Sequence, residues 1–207
     1  DDIFFINDNV GWAANGSYAA VYKTTDGGAT WTTQVTEQSL GGNYYFRNIE
    51  FLNENIGFLG TLNSVFLKTV DGGTNWIPVT NLPVAVDAIC GLNAVGATTI
   101  YGCGTYFSPA FIIKSSDSGE TWQHIDMSVY ATALVEVLFL NENVGYASGA
   151  NANGGIVLKT TDGGVTWTPI FNSGIAGEYV WKLQVLASNS DVIFGSVEAN
   201  APNNGKM

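Results

Sequence analysis

An eight-residue pattern, [Ser/Thr]-x-Asp-x-Gly-x-[Thr/Asn]-Trp, occurs four times in this chain and constrains its fold more than any other feature. The copies lie at residues 24–31, 69–76, 115–122 and 160–167, and their aspartates are spaced 45, 46 and 45 residues apart. A fixed period of this length is typical of a repeat architecture, in which each repeat is one supersecondary unit. The chain is therefore interpreted repeat by repeat.

Each repeat contains four short apolar runs separated by turn-forming residues. The first two runs are joined by a polar pentapeptide, Asn53-Glu54-Asn55-Ile56-Gly57 in the second repeat, with close copies at 7–11 and 141–145. Asn and Gly tolerate the positive φ of tight hairpins, so this pentapeptide predicts a strand–turn–strand unit. The third run is apolar throughout, as at 65–67 and 156–158. Continuous apolarity indicates a strand that is covered on both faces.

Four short strands in each period, without helical periodicity, predict an all-β chain that forms a β-propeller of four-stranded antiparallel blades. A parallel solenoid is a weaker alternative, because its rungs are shorter and lack two hairpin signals per repeat. We expect no helix of any length. The predicted blades are residues 1–36, 46–80, 86–126, 133–171 and, in part, 179–207.

The fifth unit contains only the beginning of a blade. Its runs at 180–185 and 192–197 align with the first two strands of earlier repeats, and 204–207 align with the start of a third. Because an open sheet edge is a liability and the first repeat already has four strands, we expect about four and a half blades of a longer ring. Further blades or domains of the same polypeptide should follow, with another Asp-Gly turn and Trp within roughly ten residues of Met207.

The repeated octapeptide is explained as a structural turn that needs no ligand. The Asp accepts hydrogen bonds from backbone N–H groups, the Gly supplies backbone freedom, and the Trp buries apolar surface. One Asp per turn falls short of the roughly six to eight oxygens that Ca²⁺ takes, and we predict neither a metal site nor a cofactor. The residues with this structural role are Asp26, Gly28, Trp31, Asp71, Gly73, Trp76, Asp117, Gly119, Trp122, Asp162, Gly164 and Trp167.

A lysine follows the third run of every repeat. These lysines keep the period of the repeat, which indicates that their methylenes cover the Trp or a neighbouring strand rather than that they bind a ligand. They are Lys23, Lys68, Lys114 and Lys159.

The charge balance limits the possible partners. The chain has 18 acidic and 7 basic residues, a net charge of −11. A nucleic acid or an anionic membrane surface needs clustered Lys and Arg, so both are excluded as partners. No run of 18 apolar residues is present, and we predict no membrane insertion.

Two cysteines, Cys90 and Cys103, lie in the third repeat. If residues 87–92 and 99–105 pair as a hairpin, the two side chains fall nearly opposite each other and could form a cross-strand disulfide. A disulfide would suit a secreted or periplasmic protein. The alternative is two small buried thiols.

The octapeptide resembles the Asp-box, or bacterial neuraminidase repeat, which occurs on the hairpin between the third and fourth strands of certain β-propellers. Families that share it include sialidases, sortilin-type receptors, xyloglucan-cleaving propellers and photosystem II stability/assembly factor-like proteins. The chain is most similar to the last family, in Phe-Leu-Asn-x-Asn-x-Gly at 51–57 and Lys-Thr-x-Asp-Gly-Gly-x-x-Trp at 68–76. The resemblance implies a secreted or surface protein. In photosystem-assembly relatives a patch of arginines is expected to bind the partner, and this chain has one arginine, Arg47.

The arginines, acids and histidine of the chain indicate which of the enzyme classes found on this fold are possible. A sialidase grips its substrate carboxylate with three arginines, which this chain lacks. A glycoside hydrolase with an acid pair near the central channel is the alternative function, because Glu50, Asp87 and Glu136 fall on or just before first strands. The single histidine, His124, lies on an outer strand and suggests no catalytic triad.

Aromatic residues concentrate on the connections that share one rim of the predicted propeller. Aromatics with an arginine on loops of a rigid scaffold are typical of recognition surfaces, although they also pack under loops or between blades. We therefore predict a non-catalytic interaction module for a protein or glycan, in an extracellular, cell-surface or periplasmic location. The candidate binding residues are Tyr44, Tyr45, Arg47, Tyr106, Phe107, Tyr130, Tyr179 and Trp181.

Overall fold

The computed structural model describes residues 2–42, 44–104, 109–186 and 188–198 as a succession of antiparallel sheets. Blade 1 contains β1 (Asp2–Phe5), β2 (Gly11–Asn15), β3 (Ala20–Thr24) and β4 (Thr32–Val35). Blade 2 contains β5 (Phe46–Phe51), β6 (Gly57–Thr61), β7 (Phe66–Thr69) and β8 (Ile77–Pro78). Blade 3 contains β9 (Gly91–Val95), β10 (Thr99–Gly104), β11 (Phe111–Ser115) and β12 (Gln123–Asp126).

Blade 4 contains β13 (Ala133–Phe139), β14 (Gly145–Asn151), β15 (Gly154–Thr160) and β16 (Thr168–Asn172). Blade 5 contains two described strands, β17 (Tyr179–Leu186) and β18 (Asn189–Glu198). Strands follow one another in order within every sheet, and the first strands of successive blades contact each other around a common axis. The predicted β-propeller of four-stranded antiparallel blades, about four and a half in number, is confirmed.

Burial follows the position of a strand within its blade. The middle strands β6 and β10 are buried along their whole length, whereas the outermost strand β16 is exposed along its whole length. A middle strand is covered by the blades on both sides, so the continuous apolar runs of the sequence lie where that cover is greatest.

One short helix, α1 (Glu37–Leu40), interrupts the connection between blades 1 and 2, where we expected no helix. Thr36 and Ser39 cap its first turn reciprocally, and Gly41 ends it with φ 70°. Local capping bonds therefore stabilise a single turn that has no apolar periodicity to predict it. No helix in the described ranges has the length and apolarity needed to cross a bilayer.

The hairpins at the polar pentapeptides form as predicted, but a side-chain hydrogen bond and not a positive φ forms the turn. Asn53 Oδ1 accepts hydrogen bonds from the N–H groups of Asn55 and Ile56, both at 2.9 Å, and none of these residues has positive φ. This is an Asx turn, in which the side chain replaces a backbone acceptor. Gly57 is required for space, because a Cβ there would lie 2.4 Å from the Phe51 ring.

The core lies between blades rather than within them. Trp12 of blade 1 is fully buried and stacks on Phe51 of blade 2 with ring centroids 3.6 Å apart. Tyr101 of blade 3 stacks on Phe139 of blade 4 in the same way, at 3.7 Å. Burying an aromatic side chain of this size stabilises the fold by roughly 2–3 kcal/mol, so the aromatic pair stabilises each of these two junctions.

Each Asp-box closes on itself through a repeated hydrogen-bond set, as in the fourth copy, although in the third copy Trp122 Nε1 has no hydrogen-bond partner among the described residues. Thr160 Oγ1 donates to Asp162 Oδ1 at 2.8 Å and accepts from Gly164 N at 2.9 Å. Asp162 also accepts from Thr166 N at 2.9 Å and from Thr166 Oγ1 at 2.6 Å. Trp167 Nε1 donates to Gly164 O at 3.1 Å. Hydrogen bonds from Thr166 lower the pKa of Asp162 to about 2, so it is ionised at neutral pH.

Candidate binding site at the propeller axis

One register position of the five first strands lines a small cavity on the axis. The cavity has a volume of about 110 Å³ and is also lined by Arg47, Cys90 and Leu92. Each second strand carries one aromatic residue. The residue two places after that aromatic pairs, across the antiparallel ladder, with the first-strand residue at the shared position. These first-strand residues are Asp2 (opposite Ala14), Asn48 (opposite Gly60), Gly91 (opposite Cys103), Glu136 (opposite Ser148) and Lys182 (opposite Ser196).

Irregular strand pairing turns these side chains towards the axis. The register shifts between Phe46 and Asn48 in β5, between Leu134 and Glu136 in β13, and between Val180 and Lys182 in β17. A β-bulge of this kind bends the strand and re-aims the next side chain. The bulge therefore recurs in three units and positions an amide, a carboxylate and an ammonium group at the axis.

Glu136 and Lys182 form an ion pair across the junction of blades 4 and 5. Glu136 is 9% exposed, and its Oε1 lies 2.9 Å from Lys182 Nζ. Burial raises the pKa of Glu136 to about 7, although Lys182 opposes the shift. Burial alone would lower the pKa of Lys182, but the Glu136 carboxylate outweighs it and leaves that pKa raised. The cavity therefore contains a buried carboxyl group that is paired with an ammonium group.

Glu50 is a second carboxyl group on a first strand, one register step outside the cavity lining. Its Oε1 accepts a hydrogen bond from Ala94 N at 2.9 Å. Burial raises the pKa of Glu50 to about 8, against the effect of that hydrogen bond. Asp87, the third acid of the expected channel set, is exposed on the connection before β9 and does not line the axial cavity.

Asn48 is the one cavity-lining side chain in the described chain with a buried atom that lacks a hydrogen bond. Its Nδ2 donates to Ile89 O at 3.0 Å, while its Oδ1 has no partner. The residue is 4% exposed. An unpaired buried acceptor costs free energy, and Asn48 Oδ1 packs against Gly60, where an added Cβ would lie 2.4 Å from it.

Three of the candidate binding residues gather at this site. Arg47 lines the cavity, and the rings of Tyr179 and Trp181 stack with centroids 5.1 Å apart. Both rings pack against the small cluster of Ala88, Cys90 and Val135, and Cys90 also lines the cavity. Trp181 Nε1 donates to Glu198. The aromatic pair and the charged cavity therefore share Cys90 as a neighbour.

The remaining candidates lie elsewhere. Tyr44 stacks on Phe46 and packs against the core between blades 1 and 2, and Tyr130 packs against the core between blades 3 and 4. Tyr45 is 36% exposed and lies against Gly16. Tyr44 and Tyr130 thus pack in the way that the sequence left open, whereas Tyr45 lies at the surface. Tyr106 and Phe107 lie outside the described residues.

The two cysteines are buried free thiols in the structure. Cys103 pairs with Gly91 rather than with Cys90, and Cys90 N donates to Cys103 O at 2.7 Å. An offset of one residue directs neighbouring side chains to opposite faces of a strand. Accordingly, Cys103 packs in the core between blades 3 and 4, whereas Cys90 packs beneath Tyr179 and Trp181. The cross-strand disulfide is not formed here and stays a prediction.

Sequence reasoning did not find Asn48 and Lys182. The signal was present, because aligning the repeats at Phe5, Phe51 and Phe139 places Asp2, Asn48 and Glu136 at one position. The repeat position was hard to recognise in the sequence, because it carries an acid, an amide, a glycine and a base in different blades. In the described ranges, no three His, Cys, Asp or Glu side chains come together as a metal site would require.

Sequential four-stranded blades, Asp-box turns and a polar axis define this chain as an Asp-box β-propeller. Residues 1–108 match the family model described as Photosynthesis system II assembly factor YCF48. The match covers half of the chain, and the chain belongs to this family.

Individual relatives are distant. The chain is 25% identical over 191 residues to the photosystem II assembly lipoprotein Ycf48 of Synechococcus sp. (strain CC9902), which covers 91% of this chain and 50% of that protein. The chain thus spans about half the length of this relative.

Two solved structures share the fold. YCF48 from Cyanidioschyzon merolae superposes with a TM-score of 0.67 at 21% identity, covering 95% of this chain and 63% of that one. An ancestral GH74 enzyme superposes with a TM-score of 0.72 at 20% identity, covering 95% of this chain and 27% of that one. At these identities the likeness shows the fold alone.

Proposed function

We propose that this chain is a non-catalytic, protein-binding propeller of the YCF48 family, and that its axial site receives a polar segment of the partner. The observation that carries the proposal is the mixed-charge cavity, together with the aromatic rings that pack on its lining residue Cys90. Arg47 and Lys182 supply cationic donors, Asp2 and Glu136 supply acceptors, and Trp181 adds apolar contact area.

The size and charge of the site favour a peptide over a small molecule. Its volume of about 110 Å³ is well below the roughly 300–1,000 Å³ of typical small-molecule pockets. A side chain or chain terminus at the tip of a peptide fits this space, while the stacked Tyr179 and Trp181 contact the flanking residues. Because both signs of charge line the cavity, the expected segment carries polar or mixed charges rather than an acidic run.

We further propose a location outside the cytoplasm, at the cell surface, in the periplasm or in the extracellular space. The support is the lipoprotein designation of the Synechococcus relative together with the Asp-box resemblance. Glycans remain an alternative partner class, because aromatic rings also stack on sugar faces.

Binding to a peptide array with free and amidated C termini tests the proposal. We expect Lys182→Met and Trp181→Ala each to weaken capture of the selected peptides by about tenfold or more, as for central interface residues. Tyr18→Ala is the matched control for the aromatic change, because Tyr18 is 76% exposed on blade 1 and lies away from the axis. Peptide capture that neither axial variant alters would refute the assignment of this site.

A glycoside hydrolase is the second candidate, favoured by two carboxyl groups with raised pKa values on first strands, Glu50 and Glu136. One of a catalytic pair must be protonated, which a raised pKa provides. Glu136 is engaged by Lys182, however, and the cavity is too small for an oligosaccharide. The test is the release of reducing sugar from xyloglucan or other β-glucans. If the chain releases sugar and Glu136→Gln abolishes the release, the hydrolase proposal replaces the binding proposal.

A further inference from the structure

One face of blade 3 carries alternate residues of its two outer strands. Residues two apart on a strand project to the same side, and directly paired residues of neighbouring strands share that side. Phe111 pairs with Asp126, and Ile113 pairs with His124. These four side chains therefore lie on one face. Phe111 and Ile113 pack there in a core with Phe58 of blade 2, so the face is turned towards blade 2.

Blade 2 covers only part of this face. Its outermost strand, β8, has two residues, whereas β12 of blade 3 has four. The connection after β8 lies against the remaining part, with Val86 buried and Val84 49% exposed. Residues 79–90 include no aromatic side chain, whereas the connections before and after contribute Tyr44 and Tyr130 to their junctions. The junction of blades 2 and 3 therefore lacks the ring that the neighbouring junctions contain.

A groove with a volume of about 360 Å³ lies at this place, between residues 84–87 and the face of blade 3. Val84 and Val86 contribute apolar walls on one side. On the other side, the rings of Phe111 and His124 stack with centroids 5.5 Å apart and an interplanar angle of 23°. His124 is partly exposed, so its imidazole can stack on a further flat group.

Two carboxylates, Asp87 and Asp126, line the same groove and are exposed to solvent. Asp126 Oδ1 accepts a hydrogen bond from Ser128 N at 2.8 Å. The backbone N–H and the hydroxyl of Ser128 lower the pKa of Asp126, and His124 adds a smaller effect in the same direction. Asp126 is therefore ionised at neutral pH. Among the residues that line the groove in the described chain there is no lysine or arginine, so its charge is negative.

Backbone hydrogen bonds hold both sides of the groove. Ser64 N donates to Asp87 O at 2.8 Å, which attaches the connection to the turn between β6 and β7. Met127 N donates to Ala110 O at 2.8 Å, which continues the pairing of the two outer strands of blade 3 beyond Asp126. The groove is therefore formed before a ligand binds, and binding does not have to order a loop.

The periodic lysines lie at other contacts. Lys114 Nζ donates to Gly163 O of the fourth Asp-box at 3.1 Å, and Lys68 Nζ binds Glu120 Oε1 of the third at 2.7 Å. Lys23 Nζ donates to a carbonyl of the second Asp-box at 3.3 Å. These bonds join blades, in addition to the covering role that the sequence predicted. Two further basic residues line the axial cavity. These cations are engaged at the junctions and the axis, so a partner's cation is the complement of the groove.

We propose that this groove binds an arginine side chain of a protein partner. The inference rests on the proposed protein-binding function, but it concerns a different surface from the axial cavity. A guanidinium group is planar and carries a fork of N–H donors, so it can stack on His124 while it pairs with the Asp126 carboxylate. Its methylene stem packs on Val84 and Val86. A lysine ammonium is not planar and makes no bidentate pair, so the groove selects arginine over lysine.

The capped tripeptide acetyl-Gly-Arg-Gly-amide is the probe, and the backbone amide shifts of the isotope-labelled chain are the measurement. We expect saturable shifts at residues 84–87 and 124–128, with a Kd of about 1 mM because a single side chain makes the contact. The matched peptide with lysine should bind several-fold more weakly. The peptide with citrulline, which has the shape of arginine without its charge, should not saturate.

Asp126→Asn keeps the acceptor for Ser128 N but removes the charge, and it should weaken binding of the arginine peptide by about threefold or more. His124→Ala should weaken it as well, through loss of the stacking surface. Asp8→Asn is the matched control, because Asp8 is an exposed acid in the turn between β1 and β2 and its loss should leave the affinity unchanged.

Equal affinity for the arginine and lysine peptides, or an unchanged affinity in Asp126→Asn, would overturn the proposal. Shifts confined to the axial residues Gly91 and Leu92 would overturn it too. The capped probe has no charged terminus and the shifts locate its binding directly. A failure here therefore leaves the axial proposal standing, and a failure of the peptide array at the axis leaves the arginine groove standing.

Discussion

At the scale of single residues, burial and backbone geometry give ordinary side chains unusual properties. Glu50 and Glu136 have raised pKa values because the blades remove them from water, whereas exposed Asp162 has a lowered pKa because its turn surrounds it with donors. The neighbours of Asp162 in its own octapeptide cause its shift, whereas the shifts of Glu50 and Glu136 arise from burial in the tertiary structure. Two predictions belong to this scale.

Replacing Glu50 with Gln should make the protein less sensitive to high pH. A carboxyl group whose pKa is raised in the folded state stabilises the fold below its unfolded pKa and loses that contribution as pH rises through about 8. Glu50→Gln should therefore unfold like the parent at low pH. At pH above 8, it should be more stable by about 2 kcal/mol in urea titrations. The exposed control Glu142→Gln should follow the parent at every pH, and parallel curves for Glu50→Gln would contradict the assignment.

Ser118→Gly should stabilise the third Asp-box. Ser118 has φ 60°, at the position where the other three boxes have a glycine with φ 72° or 73°. Left-handed backbone strains any residue with a Cβ, so glycine should raise the free energy of unfolding by about 0.5–1 kcal/mol. Ser116→Gly, two residues earlier and without positive φ, should instead lower it. Thermal unfolding of both variants tests the difference, and a loss of stability in Ser118→Gly would show that its side chain matters more than its backbone.

At the scale of elements, each blade is a sheet, and the neighbouring blades cover its apolar faces. At the junctions of blades 1 and 2 and of blades 3 and 4, the second-strand aromatic stacks on the first-strand phenylalanine of the next blade, and the Asp-box turn accepts its polar group. Close approach is essential at the axis, where a Cβ on Gly91 would lie 2.9 Å from Glu136 Cα. Stability therefore depends on junctions more than on isolated sheets.

Tyr101→Phe measures the polar part of one junction. The ring remains stacked on Phe139, but the buried hydrogen bond to Gly163 O is lost. We expect the free energy of unfolding to fall by about 1 kcal/mol, the usual net value of a buried hydrogen bond. Tyr18→Phe, at a position that is 76% exposed, should have no measurable effect in the same denaturant titration. If the two variants unfold alike, Lys114 alone suffices to hold the junction.

At the scale of the whole molecule, the excess of acidic residues acts on folding and on partner choice together. The net charge of −11 repels itself in the compact state and disfavours polyanionic partners. The axial cavity differs from this average, because Arg47 and Lys182, two of the seven basic residues, lie there. Binding selectivity therefore depends on the local charges of the cavity, which the net charge of the chain does not reveal.

The melting temperature should rise with salt. Raising NaCl from about 0.01 M to about 1 M shortens the Debye length from roughly 30 Å to 3 Å and screens the repulsion among surface carboxylates. Calorimetry at constant pH measures the effect, with a neutral osmolyte as the control for solvent exclusion. A lower melting temperature in salt would mean that local ion pairs, such as Lys182 with Glu136, contribute more than the net charge does.

The sequence alone determined the blade. The period of the Asp-box, the two turn types and the continuous apolar runs specify local structure, because backbone dihedrals and burial on both faces act over a few residues. The tertiary structure decided the site. Asp2, Asn48, Glu136 and Lys182 converge only when first strands meet at an axis, and β-bulges choose which side chains face it. The same packing separated Trp181 and Arg47 from Tyr44 and Tyr130, which resemble them in the sequence, since solvent exposure depends on which blade lies alongside.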